Sequence, residues 1–523
     1  MSYGYVPPRH NPWAIALTVT MATFMEVLDT SIANVALPHI GGTLSATQEE
    51  ATWVLTSYLV SNAVVLPISA WIATMIGRKR FYMSCVALFT ISSFFCGIAP
   101  SLPVLILCRV LQGAGGGGLA PSEQSILADT FPPEKRGMAF AMYGMAVVVA
   151  PAIGPTLGGW ITDNASWRWI FFINIPIGII SLLLTSRLVE DPPYIKEERK
   201  KLASIDYIGL GLITLGIGCL QVVLDKGQQE DWFASDYITA FTLFAVTCLI
   251  IFVFWEWQQE HPIVDVRLFK MRNFATASAF MFLLGMVLFG TTVLIPQFLQ
   301  SQLGYTAELA GKALSPAGLV MMCLMPVAGF LITRVDARAM MAGGFFITSM
   351  ALFHMSGIYL GIDFRTAMFY RIYQVLGMAF VFIPNNTLAY VGIPREKNNQ
   401  VSGMINLMRN IGGSIGISML TTFIARRSQV NASYLSEHTA PSNPAFQNSI
   451  QGLTHQFQNA GLSASQALER AYGFAHHMML QQAAVKSYGE VIRVAALIVL
   501  CLSPMPFLMK KPPRGEKTEA AVH

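Results

Sequence analysis

The sequence predicts an all-α integral membrane protein: fourteen membrane-spanning helices arranged as two pseudo-symmetric six-helix bundles with two extra helices between them. Three observations carry this. Only 12% of residues are charged while 54% are hydrophobic, and mean hydropathy is +0.51, which excludes an ordinary soluble domain. Apolar runs of spanning length recur fourteen times. Short motifs also repeat at a constant offset of 262 residues: Arg109-x-x-Gln112 returns as Arg371-x-x-Gln374, Pro132-Pro133-Glu134-Lys135 as Pro394-Arg395-Glu396-Lys397, and Gly154 falls on Gly416.

The first run, residues 13–37, holds no charge except Glu26 and Asp29. Its length gives a helical rise of about 37 Å, enough to cross a hydrocarbon core of roughly 30 Å with some tilt. A carboxylate at that depth normally faces a partner or a water-filled cavity. The i, i+3 spacing puts both acids on one side of the helix. Two carboxylates desolvated together titrate as a pair, which suits a proton-driven transporter. The plainer alternative is that fixed hydrogen bonds satisfy both and neither changes protonation.

The next runs cover 52–75, 81–99, 103–128, 138–162 and 169–188, then 205–224 and 237–257, which have no repeat partner. The second set covers 274–300, 311–333, 339–360, 366–390, 400–425 and 489–509. The chain therefore divides into a first bundle (1–188), a linker region with the two extra spans (189–273), a second bundle (274–509) and a tail (510–523). Parallel halves related by an axis along the membrane normal are a known transporter plan, with the site between them. Basic residues gather in alternate connections, such as Arg78–Arg80, Lys135, Arg136, the run 196–201, Arg267, Lys270, Arg334, Arg338, Arg395, Lys397 and the tail (Lys510, Lys511, Arg514, Lys517). This bias puts both termini in the cytoplasm. The polar start (residues 1–11) and the length of the first run do not resemble a cleaved signal peptide, so the first span is expected to stay.

In the fourth run, Arg109 is followed by Gln112, Gly113 and Gly115–Gly118. Counted from the outer ends, Arg109 lies about 9 Å deep and Asp29 about 12 Å deep, which makes a direct or water-linked ion pair reasonable. Arg371 lies at a similar depth in the second half and Arg409 nearer mid-membrane. A backbone carbonyl is the alternative partner for any of these arginines. Glu123 and Asp129, near the inner end, are assigned to the cytoplasmic loops, and His354 to packing. The seven cysteines lie in apolar runs without metal-ligand spacing and read as small core residues.

In the fifth run Gly144, Pro151, Gly154, Pro155, Gly158 and Gly159 lie within sixteen residues. The glycines give a bare face for close helix contact, and each proline removes a backbone donor, so a hinge is expected. Residues 426–488 form a polar outer segment in which Leu468, Ala471, Phe474, Ala475 and Met478 fall at helical spacing. An amphipathic helical hairpin is expected there, either docking a partner or capping the exit.

These motifs together resemble the major facilitator superfamily, specifically the 14-span drug/proton antiporters of EmrB/QacA type. The matching stretches are Leu28-Asp29-Thr30-Ser31-Ile32-Ala33-Asn34, Arg109–Gly113, Gly144–Gly159, Trp167-Arg168-Trp169 through Pro176, and Arg409-Asn410-Ile411-Gly412-Gly413. The resemblance covers nearly the whole chain. It implies the major facilitator fold and export of hydrophobic compounds against inward proton flow, with Asp29 and Arg109 in the coupling region. It also implies a bacterial inner membrane and no cofactor beyond the proton gradient. In Gram-negative relatives it implies a periplasmic membrane-fusion adaptor of EmrA/HlyD type and a TolC-like outer-membrane channel. Two positions depart from the family. Thr74 and Met75 stand where its loop between spans 2 and 3 has an acid and a base, and Glu26 has no place in its pattern.

The expected function is proton-driven multidrug efflux by alternating access, with Asp29, Glu26 and Arg109 coupling the proton. A cavity lined by Asn34, Gln112, Arg371, Gln374, Asn406 and Arg409 would take hydrophobic or amphipathic drugs. The alternative within transport is a dedicated exporter of a lipid, fatty acid or siderophore. A polytopic membrane enzyme would need a His-Asp or Cys-His constellation at an interface, and the sequence offers none. Neither a metal nor a nucleic-acid partner is expected.

Overall fold

The computed structural model describes residues 7–192, 206–260, 262–439 and 442–510, and among these every regular element is helical. The basic run 196–201 and the tail residues Lys511, Arg514 and Lys517 lie outside the described residues. The helices are α1 (Pro12–Thr43), α2 (Gln48–Ile76), α3 (Arg78–Ile98), α4 (Leu102–Gly116), α5 (Leu119–Thr130), α6 (Arg136–Asn164), α7 (Trp169–Phe172) and α8 (Asn174–Leu188). After them come α9 (Tyr207–Lys226), α10 (Asp236–Gln258), α11 (Arg272–Leu303), α12 (Ala307–Leu331), α13 (Ala337–Met355), α14 (Phe364–Ala389), α15 (Asn398–His438), α16 (Pro444–Asn459) and α17 (Ala464–Leu502).

The ends of these helices follow local chemistry. Asn11 caps α1 by accepting from Trp13 N at 2.9 Å, with Pro12 at the first helical position, where its missing N–H costs nothing. Thr47 and Glu50 form a capping box on α2. Between α2 and α3 the chain turns at Gly77, whose φ of +98° only glycine adopts without strain.

Twelve helical stretches among the described residues are long and apolar enough to cross a membrane. All fourteen predicted runs fall on helices, but two, on α13 and α15, are not among the twelve. Helix α13 carries Arg338 near one end and His354 near the other. Helix α15 carries Asn406, Arg409 and Asn410, which lower its hydropathy and point into packed contacts. The predicted single span 103–128 is two helices, broken at Gly117 and Gly118. The span 169–188 is likewise split at Ile173.

The outer segment 426–488 differs from expectation. Helix α15 runs on to His438, and α17 begins at Ala464 and continues directly into the last span. Helix α16 packs along the outer part of α17. Within the predicted apolar stripe only Ala471 is buried, while Leu468, Phe474 and Met478 are exposed. Ala467 and Ala471 of α17 are buried, while Phe446 and Phe457 of α16 pack on Tyr472 (6.2 Å) and Phe474 (6.3 Å), rings that stay partly open to solvent.

Helix α1 packs on α6, and α3 on both α4 and α8, while in the second set α11 packs on α15 and α13 on α14. A Cβ on Gly154 would overlap Ser31 of α1, and one on Gly158 would lie 3.0 Å from the Ile32 side chain. Gly412 and Gly416 make the same kind of approach from α15 to α11, against the Phe282 and Met286 backbone. The two sets meet through α6 against α12 and α14, and through α2 and α5 against α15. Helix α9 lies against both α2 and α15, bonding to Ser414 through Gln221 (3.0 Å) and to α2 through Asp225 and Thr56.

Candidate functional site

Helix α1 presents Glu26 and Asp29 one turn apart, and their surroundings differ. Asp29 is sealed from solvent. Its Oδ2 lies 2.5 Å from Arg109 Nη1, and its Oδ1 accepts from Gln112 Nε2 at 3.0 Å and Asn174 Nδ2 at 2.7 Å. Arg109 is fully buried; it also donates to Gln112 Oε1 (2.7 Å) and, through Nε, to the Val54 carbonyl of α2 (3.0 Å). Ser93 of α3 accepts from Gln112 at 2.8 Å, and the guanidinium stacks 4.3 Å above the Tyr58 ring. The predicted Asp29–Arg109 pair is therefore direct. Ser93 and Asn174 complete it, and depth counting gave no sign of either.

Glu26 is only partly buried and faces the other set of helices. Its Oε1 accepts from the Tyr58 hydroxyl (3.2 Å) and from Asn62 Nδ2 (3.1 Å), and Asn62 in turn accepts from Asn410 of α15 at 3.5 Å. Arg409, one residue before, is the cation whose field reaches Glu26. Its guanidinium hydrogen-bonds the Tyr143 hydroxyl of α6. From there a buried polar chain runs across the interface: Tyr143 to Asn406 (2.8 Å), Asn406 to Gln124 of α5 (2.8 Å), and Gln124 to Asn386 of α14 (3.3 Å).

Glu123 corrects the sequence reading, which assigned it to the loops. It is fully buried against α1, where Oε1 accepts from Thr20 at 2.6 Å and Oε2 makes no hydrogen bond. Thr20 lies about 12 Å inside the start of α1, so Glu123 is a third interior carboxylate. The break at Gly117–Gly118 reorients α5, so counting down one straight helix misplaces it. Asp129 does serve the helix ends: it pairs with Arg78 and accepts from Asn398 Nδ2 at 2.8 Å. Arg78 also reaches the Ser125 carbonyl (3.2 Å), and Ser125 meets Ser402 at 2.6 Å. This clasp joins α3, α5 and α15 without the acid and base missing at Thr74 and Met75. Asp191 adds to it, accepting from Lys79 N at 2.7 Å beside Gly77. The clasp lies at the end where both described chain ends sit: Trp13 packs on Phe131 at 4.9 Å, and Lys510 N donates to Asn273 at 2.7 Å.

The predicted cavity set divides. Gln112, Gln374 and Asn406 have no exposed surface and are spent on hydrogen bonds, whereas Asn34 is exposed on α1. None of those four lines the cavity that Arg371 borders. Arg409 is buried at the interface, and Arg371 borders a cavity between α6, α11, α12 and α14. Arg371 donates to Thr291 Oγ1 (3.2 Å), to Gln374 Oε1 (2.6 Å) and to Thr292, and Gln374 donates to Thr291 at 2.6 Å. His354 packs edge-on against Tyr370 at 5.1 Å but is exposed, so it is a surface aromatic contact and not the core histidine expected.

Helix α6 stays continuous through both prolines. Pro155 cannot donate to the Pro151 carbonyl four residues earlier; Ser31 of α1 donates to it instead, at 3.3 Å. From the other side Ser315 of α12 donates to the Ala152 carbonyl at 2.9 Å and meets Thr156 at 3.1 Å. Gly144 lies against Met325 and Phe382, while Gly159 is buried with its carbonyl accepting from Thr162. The proline segment thus bonds both helix sets at one level.

Long apolar helices, a sealed ion pair within one set and a polar seam between the sets are the architecture of a membrane transporter. Residues 19–417 match the model of the Major Facilitator Superfamily, and the chain belongs to that superfamily. It is 38% identical to the multidrug export protein EmrB of Haemophilus influenzae, over 97% of this chain and 98% of that one. It is 36% identical to the fatty acid resistance protein FarB of Neisseria gonorrhoeae, over 95% and 96%. Among solved structures, the human organic anion transporter MFSD10 (TETRAN) matches with a TM-score of 0.59 at 11% identity, over 94% of this chain and 100% of that one, which bears on the fold alone.

Proposed function

We propose that this protein is a proton-driven exporter of hydrophobic and amphipathic compounds, working by alternating access in a bacterial inner membrane. The observation that carries the reading is the placement of three interior carboxylates. Asp29 is locked to Arg109 within the first helix set, while Glu26 and Glu123 lie toward the seam near Arg409. Protonation of Asp29 from outside would weaken its hold on Arg109, Gln112 and Asn174 and so loosen α1 against α4 and α8. Because Ser31 and Gly154 tie α1 to α6, that loosening reaches the helix bordering the cavity. Deprotonation toward the cytoplasm would reset it.

The spans are fourteen: bundles 1–188 and 274–509, plus α9 and α10 in 189–273, with both termini cytoplasmic. The clasp of Arg78, Asp129 and Asn398 then closes the inner side in the described conformation. Identity to an EmrB multidrug export protein favours a broad drug range. Identity to FarB favours the second reading, an exporter dedicated to fatty acids or similar lipids. The exposed Leu468, Phe474 and Met478 on the outer helical hairpin suit docking of a periplasmic adaptor that leads to an outer-membrane channel.

The test is drug-dependent proton flux in proteoliposomes of the purified protein. Proton release coupled to drug uptake is expected in the wild type. Drug movement without proton movement would leave an exporter but remove the coupling role of Asp29.

A further inference from the structure

The last span carries a cation among apolar neighbours. Arg493 of α17 lies one turn, about 4.5 Å, beyond Glu490 into the apolar run and is exposed beside Val494 and Leu497. Among the described residues it makes neither a hydrogen bond nor an ion pair. An arginine left open within a spanning segment is costly unless its head reaches a polar partner at the membrane surface.

Arg493 shares a groove between α11, α15 and α17 with Arg427 and Glu490. Arg427 donates through Nε to Glu490 Oε2 at 2.7 Å, and Asn431 donates to the same oxygen at 3.3 Å. The groove has room for about 580 Å³, within the ordinary range for small-molecule sites. Buried Val287 and Gly416 lie on its floor, and Phe423, Leu497 and Ile498, all exposed, form its sides. From Arg427 down to Gly416 it is about 16 Å long, close to one leaflet of a hydrocarbon core roughly 30 Å thick. Two arginines against one glutamate leave the polar end with an excess positive charge. An apolar trough of leaflet depth below a cationic rim matches a lipid with an anionic head group.

We propose that this groove binds one anionic diacyl phospholipid, its phosphate held by Arg493 and Arg427 and one acyl chain laid along Val287 and Gly416. The lipid is a resident of the leaflet and not a transported compound, so the inference stands apart from the export reading. It braces α15, which carries Asn406 and Arg409 of the polar seam, against α11 and α17. The small side chain of Ala495, which lines the groove, leaves space for the chain.

The test uses the full-length protein purified in detergent, with phosphatidylglycerol and phosphatidylcholine of identical acyl chains. Native mass spectrometry counts the retained lipid, and thermal unfolding reports its stabilising effect, since a ligand of the folded state raises the midpoint by mass action. The wild type should retain one phosphatidylglycerol about fivefold more tightly than phosphatidylcholine, the factor that one basic side chain gives near an anionic head group. Only phosphatidylglycerol should raise the midpoint clearly. Arg493→Gln should abolish the preference, and Arg493→Lys should keep most of it. Ala495→Trp should fill the groove and weaken retention of both lipids. Midpoints without lipid show whether each variant is folded, and Arg493→Gln, at an exposed position, decides the matter if Ala495→Trp is not. Equal retention of the two lipids by the wild type overturns the inference, as does an unchanged preference in folded Arg493→Gln. Wild-type retention by folded Ala495→Trp places the lipid elsewhere and overturns it too. Glycerol 3-phosphate should not compete; displacement of the lipid at equal concentration would make this a head-group site alone and overturn the assignment to a phospholipid.

Discussion

Asn174 donates to the Asp29 carboxylate at 2.7 Å from α8, 145 residues further along the chain. With Arg109 and Gln112 it closes a cage of three donors around one acid, and the cage lies wholly inside the first helix set. In the proposed mechanism, protonation of Asp29 would have to open contacts among α1, α4 and α8. Asp29→Asn keeps shape and much of the hydrogen bonding while removing the charge. Drug-driven proton exchange should disappear in this variant, with lowered thermal stability because buried Arg109 keeps its charge without a counter-ion, and wild-type exchange in the folded variant would end the assignment. Asn174→Ala should lower stability by about 1–3 kcal/mol, because a donor to a buried charge is lost.

Glu26 and Glu123 should separate in their effects. Glu26→Gln keeps the Tyr58 and Asn62 contacts on a partly exposed side chain, so coupling should persist with weaker export of cationic drugs. Glu123 has one oxygen without a partner in a fully buried setting, a state that costs stability when charged. Glu123→Gln should therefore not lower the unfolding temperature yet should slow proton exchange severalfold. Normal exchange together with lowered stability would make Glu123 a purely structural residue.

On α6, Gly154 and Gly158 allow contact with Ser31 and Ile32 that no larger residue permits. Gly154→Leu or Gly158→Leu should hold α6 off α1, lowering transport turnover more than drug binding. Equal losses in both measurements would reduce the motif to packing.

Topology is open to direct labelling. Single cysteines at Lys79 and Lys135, in a background without the seven natural ones, should react with a membrane-impermeant reagent only from the cytoplasmic side. Reaction from outside would reverse the proposed orientation.

The outer hairpin can be removed cleanly, because Asn431 of α15 bonds Ser487 of α17 at 2.9 Å and so holds those helices together beneath it. Replacing residues 444–486 with a short Gly/Ser linker should spare proton-coupled transport in liposomes but lose drug resistance and adaptor co-purification in cells. Failure in liposomes as well would make the hairpin part of the gate.

The helices, their order and the Asp29–Arg109 pairing were legible in the sequence, since each depends on properties local to one segment. Burial cost restricts charge in apolar runs, a helix rises by a fixed distance per residue, and two interior charges of opposite sign at equal depth have few other partners. The correspondence of Thr291 to Asp29 is also written in the sequence, because the 262-residue offset carries one onto the other, but a threonine in an apolar run gives no charge signal. What hydropathy does not encode is how each helix turns about its own axis and where it breaks. Close approaches of Gly115 in α4 and Gly178 in α8 to α3 bring Ser93 and Asn174 to the Asp29–Arg109–Gln112 network. The break at Gly117–Gly118 carried Glu123 inward. The same packing drew Gln112, Gln374 and Asn406 out of the expected cavity and into satisfied networks. Only the assembled helices decided that Arg371 would border a cavity with no acid beside it.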